Sequence, residues 1–555
     1  MYSFYKTSFS KLLFIVSLFS IFSCTKDDDT PAKEEFNNTE VTVTVSDFKT
    51  TIDENLEDGE VIGQVIASTN TGSITFSITE QNPENAFYID SATGELIVTD
   101  STLFDFETNP KITGTVKVTN GDISKNAAVE INISDVFEDK VFEGNVIFFT
   151  QEEVDAFGAH EYTHIAGSIN VGDLFGSYSQ ITNLEPLQSI RKIDGNLIVA
   201  FTELLETLNG FQNITSIGGQ IIIWANQALT NIDGLEGLTI ILNEFLIWSN
   251  IALENINGLN NVTQIVSNFN ITGNRSLKNL DGLSNLNSIS IDFIVSSNDE
   301  LENIDGISNL SAVGKDIEFK SNSKLHNIDA LQGLTQINGR LDIGDNDLLQ
   351  NIEGLQNVTF INGFLVIESN DSLLNLEGLN NINSIYGIQL RNNISLTNID
   401  ALSNVQTLRE LSIYRNPLLT NINALENINS LSNSLSVSNN NSLTNLQGLK
   451  NIQRIGGSLE IWSNPSLNNL EGLRSLQFIG NRLNIDDNDL LTNLSGLRNL
   501  KRLSSDLTIT FNSSLSDFCD LQKLFTEGSF QGDYDVARNT FNPTQQDIID
   551  GNCSL

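Results

Sequence analysis

Between residues 165 and 515, apolar and polar positions recur with a period of 23–24 residues. The pattern N-x-x-L-x-N-L-x-G-L-x-N-I-x-x-I-x-G-x-L-x-I-x-x is clearest from Asn440 to Ile461. Its leading Asn falls at Asn226, Asn250, Asn274, Asn298, Asn322, Asn346, Asn370, Asn393, Asn416, Asn440, Asn464, Asn488 and Asn512. Thr202 and Tyr178 extend the register backwards, to 15 turns. A turn this short cannot bury its own apolar side, but stacked turns share one continuous core. The L-x-I segment has period two, so its apolar residues point inward and their neighbours outward. The pattern predicts a β-solenoid with one short strand per turn, stacked at about 4.8 Å.

Within that solenoid the Asn columns read as structural, because stacked amides bond one another and the backbone at corners. A second Asn column (Asn231, Asn255, Asn279 and onward to Asn493) follows the first by five residues. A Gly column (Gly210, Gly234, Gly258, Gly282, Gly306) is expected to supply tight corners. Ala330, Ala401 and Ala424 in the same column imply that positive φ is not needed at every turn. Exposed solenoid ends need caps. The capping-box sequence Thr150-Gln-Glu-Glu153 opens a helix carrying Val154 and Phe157, and 517–525 and 543–550 read as short helices.

Upstream, residues 40–139 alternate in short runs at 41–45, 61–67, 74–78, 95–98, 113–118 and 128–133, separated by turn residues. That spacing predicts a β-sandwich. The stretch resembles a cadherin repeat in Asp53-Glu54-Asn55 with Gly59 and Ile62-Gly63, and in Phe87-Tyr88-Ile89-Asp90 with Thr93-Gly94-Glu95-Leu96. The resemblance continues through Phe104-Asp105-Phe106-Glu107 and Asp135-Val136-Phe137-Glu138-Asp139. It implies Ca²⁺ held by Glu54, Asp105, Glu107 and Asp135, hard oxygen donors suited to that ion. Asn120 stands where an acidic residue is usual, and Phe137 replaces an Asn. The repeat itself, with I-x-G before L-x-I and a G-L corner, resembles the receptor L domain. That implies a right-handed solenoid that binds protein ligands or serves as a surface module.

The N-terminus changes the setting. Lys6 and Lys11 precede an apolar run, Leu12 to Phe22, too short to span a bilayer and of signal-peptide length. It ends at Ser23-Cys24, followed by Thr25-Lys26-Asp27-Asp28-Asp29. This is similar to a Bacteroidetes-type lipoprotein with a surface-export signal, which implies acylation of Cys24 and an outer-membrane protein facing the exterior. Two or more acyl chains make a stable anchor. With Cys24 lipidated, Cys519 and Cys553 remain as an even pair, expected to form a disulfide in the C-terminal cap. The expected organisation is signal peptide 1–23, lipidated Cys and polar linker 24–39, sandwich 40–139, N-terminal cap 140–164, solenoid 165–515 and C-terminal cap 516–555. The fold class is mainly β.

The 555 residues carry 29 Lys+Arg against 70 Asp+Glu, a net charge of −41, which argues against nucleic-acid binding and leaves the lipid anchor as the only membrane contact. Three His leave little for catalysis. His160-Glu161-Tyr162-Thr163-His164 matches H-E-x-x-H, which on a helix places two His on one face for Zn²⁺. Yet Ile165-Ala-Gly167-Ser-Ile169-Asn-Val171 already fits the solenoid strand, so the pair reads as incidental.

The outward strand positions are more informative. One column runs Ala200, Trp224, Trp248, Thr272, Ser296, Lys320, Gly344, Glu368, Arg391, Tyr414, Ser438, Trp462, Asp486, Thr510, and it holds all 3 Trp of the chain. Its neighbour begins Ile198, Ile222, Leu246, Asn270, Ile294, then turns polar at Glu318 and Asp342. Ile198, Ile222, Trp224, Leu246 and Trp248 are expected to form one apolar strip, and Tyr414 and Trp462 a second cluster about 10 Å apart across two strand spacings. Such patches mark interaction sites, and aromatic platforms suit sugar rings or protein hot spots. The expected function is non-enzymatic binding of an extracellular protein or glycan. A purely structural envelope role is the alternative, and a zinc metallopeptidase the second alternative.

Overall fold

A computed structural model describes residues 40–136, 138–173 and 176–555. Cys24, the signal peptide, the linker and Phe137 lie outside the described residues. The chain divides into two compact units between Glu138 and Asp139.

The first unit is a β-sandwich. One sheet orders Phe48–Asp53, Ile123–Ser134, Lys111–Asn120 and Thr75–Asn82; a second orders Val61–Gln64, Glu95–Val98 and Phe87–Ile89; and Val43–Val45 forms a small antiparallel pair with Ala67–Thr69. The period-two alternation of Val116, Val118, Val129 and Ile131 places these side chains between the sheets with Phe76, Phe87, Leu96 and Phe104. Two strands escaped the pattern reading. Phe48–Asp53 pairs parallel with Ile123–Ser134, and Phe87–Ile89 is three residues long.

The second unit is a β-solenoid. Its main sheet has 17 strands from Val146–Phe148 to Tyr534–Ala537, each paired in parallel with the next. The sheet therefore reaches into both stretches expected to be caps. Two-residue strands such as Gln264–Ile265 build a second face, and short 3-10 turns such as Asp281–Leu283 a third. Leu and Ile of every turn fill one continuous core, with Phe245, Phe269 and Phe293 stacked at 5.2 and 5.8 Å. Thr150 caps helix Gln151–Gly158 in a reciprocal capping box, and helices Gln522–Thr526 and Gln545–Ile549 lie near the C-terminus, where Cys519 and Cys553 are joined by a disulfide.

The first Asn column is a fully buried ladder. Asn322 Nδ2 donates to Val295 O at 3.0 Å, and its Oδ1 accepts from Asn298 N and Nδ2 at 3.1 and 3.2 Å. The backbone N–H to Oδ1 and the Nδ2 to carbonyl bonds repeat from Asn226 to Asn512, and Asn539 receives the last of the former. At the other end Thr202 Oγ1 donates to Asn226 Oδ1, and the column then passes to Ser179, not Tyr178, through the bridge Ser179↔Thr202. That turn is 23 residues long, and the one-residue difference puts Tyr178 on the surface.

The corners differ from expectation in kind. Positive φ belongs to the residue before each ladder Asn, for example Ser297 at 57° and Ser321 at 56°. In the Gly column Gly210 and Gly378 have positive φ, whereas Gly234, Gly258 and Gly306 do not. There the reason for Gly is close approach: a Cβ on Gly306 would lie 1.9 Å from Leu280 O. Where Ala330, Ala401 and Ala424 take this place, the 3-10 turn lengthens to five residues. The second Asn column caps these turns, as Asn279 Oδ1 accepts from Asp281 N at 3.1 Å.

Candidate functional site

In the sandwich, Glu54, Glu107 and Asp135 bring ligand oxygens within 4.8 Å of one another. Glu54 is buried, and its two oxygens accept Phe106 N–H and Val136 N–H at 2.7 Å each. Those bonds clamp the 104–107 turn and the strand end to one carboxylate. A backbone hydrogen bond lowers the Glu107 pKa, but partial desolvation and the charges of Glu54, Asp135 and Asp105 together raise it above the ordinary glutamate value. Asp105 is not in the triad, because Thr108 holds its carboxylate through side-chain and backbone hydrogen bonds. Asn120 is engaged elsewhere, donating to Thr69 Oγ1 and Thr71 O. Three mutually repelling hard oxygen donors fit Ca²⁺, which takes six to eight oxygens, with carbonyls and water completing the shell.

On the solenoid, the apolar strip forms as a ring ladder. Trp224 and Trp248 stack with centroids 5.6 Å apart and planes 17° apart. Ile198, Ile222, Leu246 and Trp224 are half-buried, while Trp248 is 48% exposed. Sequence reasoning missed two members. Phe201 packs edge-on against Trp224 at 4.6 Å, and Tyr178 against Phe201 at 5.6 Å. Phe201 sits in the left-handed position before Thr202, one residue beyond the outward column. Tyr178 was hidden by the displaced register. Tyr178 Oη accepts from Gln227 Nε2 at 2.7 Å, tying the ladder to the neighbouring corner.

The second cluster is tighter than two strand spacings allow for upright side chains. Tyr414 and Trp462 have centroids 6.0 Å apart, against the expected 10 Å. Ser438, on the strand between them, is buried at 1% exposure, so the rings lean toward each other over a small residue. Between the two clusters the outward face is charged. Asp342 is 4% exposed and paired with Arg340 at 2.6 Å; Glu318, on the adjacent strand, has its pKa raised by desolvation and then by Asp342.

The H-E-x-x-H residues do not share a helical face. The helix ends at Gly158; Glu161 has φ 52°, and His164 lies on a strand with Nε2 2.8 Å from Asp194 Oδ2. His160 packs beside Tyr162. Among the described residues, the only cluster with metal-ligand spacing is the sandwich triad.

No family model matches the chain, and no curated protein matches it. Among solved structures it is similar to protocadherin gamma B2 extracellular cadherin domains 3–6, at 26% identity and TM-score 0.16, over 17% of this chain and 23% of that one. It is also similar to the protocadherin gamma B7 EC3–6 cis-dimer structure, at 17% identity and TM-score 0.16 over 19% and 30% of the two chains. The extracellular domain of protocadherin gamma B4 matches at 17% identity and TM-score 0.16, over 19% and 21%. The chain thus spans less than a third of each of these neighbours. The fold described above rests on its own strand pairing.

Proposed function

We propose that this protein is a surface-displayed binding lipoprotein of the Bacteroidetes type, without enzymatic activity, that holds an extracellular protein or glycan on the outward aromatic columns of its solenoid. The observation that carries this reading is the ladder Tyr178–Phe201–Trp224–Trp248, contiguous rings that end on an exposed Trp. The core accounts for every inward apolar residue of these turns, so the outward Ile and Trp have no packing role inside the solenoid. The lipobox-like Ser23-Cys24 and the acidic tail after it support an outer-membrane anchor, with the sandwich as a calcium-stiffened spacer.

The test uses the full chain and a Trp224→Ala/Trp248→Ala double variant, both checked by circular dichroism, on glycan arrays and against bacterial and host surface extracts. Capture by the native chain that falls at least tenfold in the variant is the expected result. Capture unchanged in the variant would remove the ladder as the site. No capture by either form would leave the structural envelope role.

A further inference from the structure

The repeat is irregular in one place. The ladder steps Asn370–Asn393 and Asn393–Asn416 are 23 residues each, where the flanking steps are 24. Against these shortened turns lies an open depression of about 440 Å³, lined by Asn392, Ile394, Arg415, Pro417, Asn439 and Asn441. Its volume lies within the range of small-ligand sites. Asn392, Arg415 and Asn439 are the left-handed residues of three successive turns, at φ 54°, 54° and 57°. Each directly precedes a ladder Asn that is fully buried and hydrogen-bonded, so the backbone of this wall is held before any ligand arrives.

The chemistry of the wall is specific. Several basic side chains of the solenoid are ion-paired: Lys278 with Glu254, Lys324 with Glu300, Arg482 with Glu460, Arg498 with Glu471. Arg415 and its neighbour Arg391 have no ion pair within 4.0 Å among the described residues. Arg415 is exposed and lies 5.4 Å from the Tyr414 ring centroid. Asn439 Nδ2 is shut from water and has no hydrogen-bond acceptor, so turning that amide toward a ligand breaks no bond. Tyr414 directly precedes Arg415, and Trp462, two strands further on, leans toward it with ring centroids 6.0 Å apart.

We propose that this depression is the subsite for a carboxylate-bearing sugar unit of a glycan. The guanidinium fork matches a carboxylate, the amides match hydroxyls, and the aromatic faces take the C–H side of a pyranose. The polar lining favours a hydroxyl-rich ligand over an apolar peptide face. Charges beyond about 8 Å are screened at physiological ionic strength, and Arg415 is the charged residue of the lining, so it sets the sign for a ligand of one or two acidic units. The inference rests on the reading that the outward face binds a ligand, and it names the ligand class.

The experiment is calorimetric titration of the full chain with a panel of uronate-containing disaccharides, each beside its neutral counterpart, and with hexaglutamate. Variants are Arg415→Asn, Trp462→Ala and, as a control, Lys278→Ala. Asn already occupies the same left-handed position on the turns before and after Arg415, so Arg415→Asn keeps the fold. At least one uronate is expected to bind tenfold or more tightly than its neutral partner, and to lose at least tenfold in Arg415→Asn. Trp462→Ala weakens it, and Lys278→Ala, remote from both clusters, leaves it unchanged. No binding of any uronate, equal binding of the neutral sugars, or indifference to Arg415→Asn would overturn the proposal. So would Arg415-dependent binding of hexaglutamate alone, which would make the partner an acidic peptide. If array capture is lost in the Trp224/Trp248 variant while no uronate binds, this inference fails and the general binding reading survives.

Discussion

A buried asparagine in the ladder closes three backbone or side-chain demands at once, and the residue before it adopts φ near 55° to make that possible. A left-handed L-residue costs about 1–2 kcal/mol, and the ladder recovers it through bonds that would otherwise be unsatisfied buried groups at about 1–3 kcal/mol each. That balance explains why Ser, Asp, Arg and even Phe are tolerated there, whereas the ladder Asn is not varied from Asn226 to Asn512. Glu318 shows the opposite situation, a carboxyl the fold penalises. Desolvation and the neighbouring Asp342 raise its pKa from the ordinary 4.5. The folded state then holds this proton more tightly than the unfolded chain, so its contribution to stability falls as pH rises above about 4.5 through the raised value. Glu318→Gln is expected to raise the thermal midpoint by a few degrees at pH 7, a gain that closes at pH 4. An equal gain at both pH values would show that charge is not the cause.

At the scale of elements, the sandwich gathers three carboxylates from separate segments through one buried anchor. Glu54 holds the 104–107 turn and the end of the last strand, which leaves Glu107 and Asp135 facing each other. Their repulsion is part of what raises the Glu107 pKa. An ion bound there stabilises the folded unit by mass action, and removing one carboxylate relieves repulsion while it removes a ligand. Millimolar Ca²⁺ added to the full chain should raise the melting temperature of the sandwich transition, and EDTA should reverse the rise. Glu107→Gln should melt no lower than the native chain without metal and show no calcium shift. An unshifted native transition in 5 mM Ca²⁺ would leave the triad as unliganded surface carboxylates.

At the scale of the whole chain, the solenoid is one-dimensional, and each turn meets only its neighbours. Excision of residues 250–273 removes one 24-residue ladder step and brings Asn274 next to Asn226 in register. It also places Phe245 against Phe293, which faced Phe269 before. This variant is expected to fold with a midpoint within about 5 °C of the native chain. Excision of 250–261 instead breaks both the ladder and the strand register, and should abolish cooperative melting. Equal behaviour of the two deletions, measured by circular dichroism melts, would refute the ladder as the register-setting element.

The sequence by itself determined the solenoid, its period, the inward and outward columns and the sandwich, because these depend on spacing that recurs and so can be counted. It placed the aromatic columns correctly along the strands for the same reason. The tertiary structure decided what depends on a single step or on a neighbour in space. One short turn moved Tyr178 from the buried column to the ring ladder. A small residue, Ser438, let Tyr414 and Trp462 converge. Close approach of Leu280 O, rather than left-handed φ, explains Gly306. Thr108 drew Asp105 out of the acidic triad that its motif had placed it in. Periodicity is a property of the chain, but side-chain direction and distance exist only once turns are stacked, so the site's shape was not legible before folding.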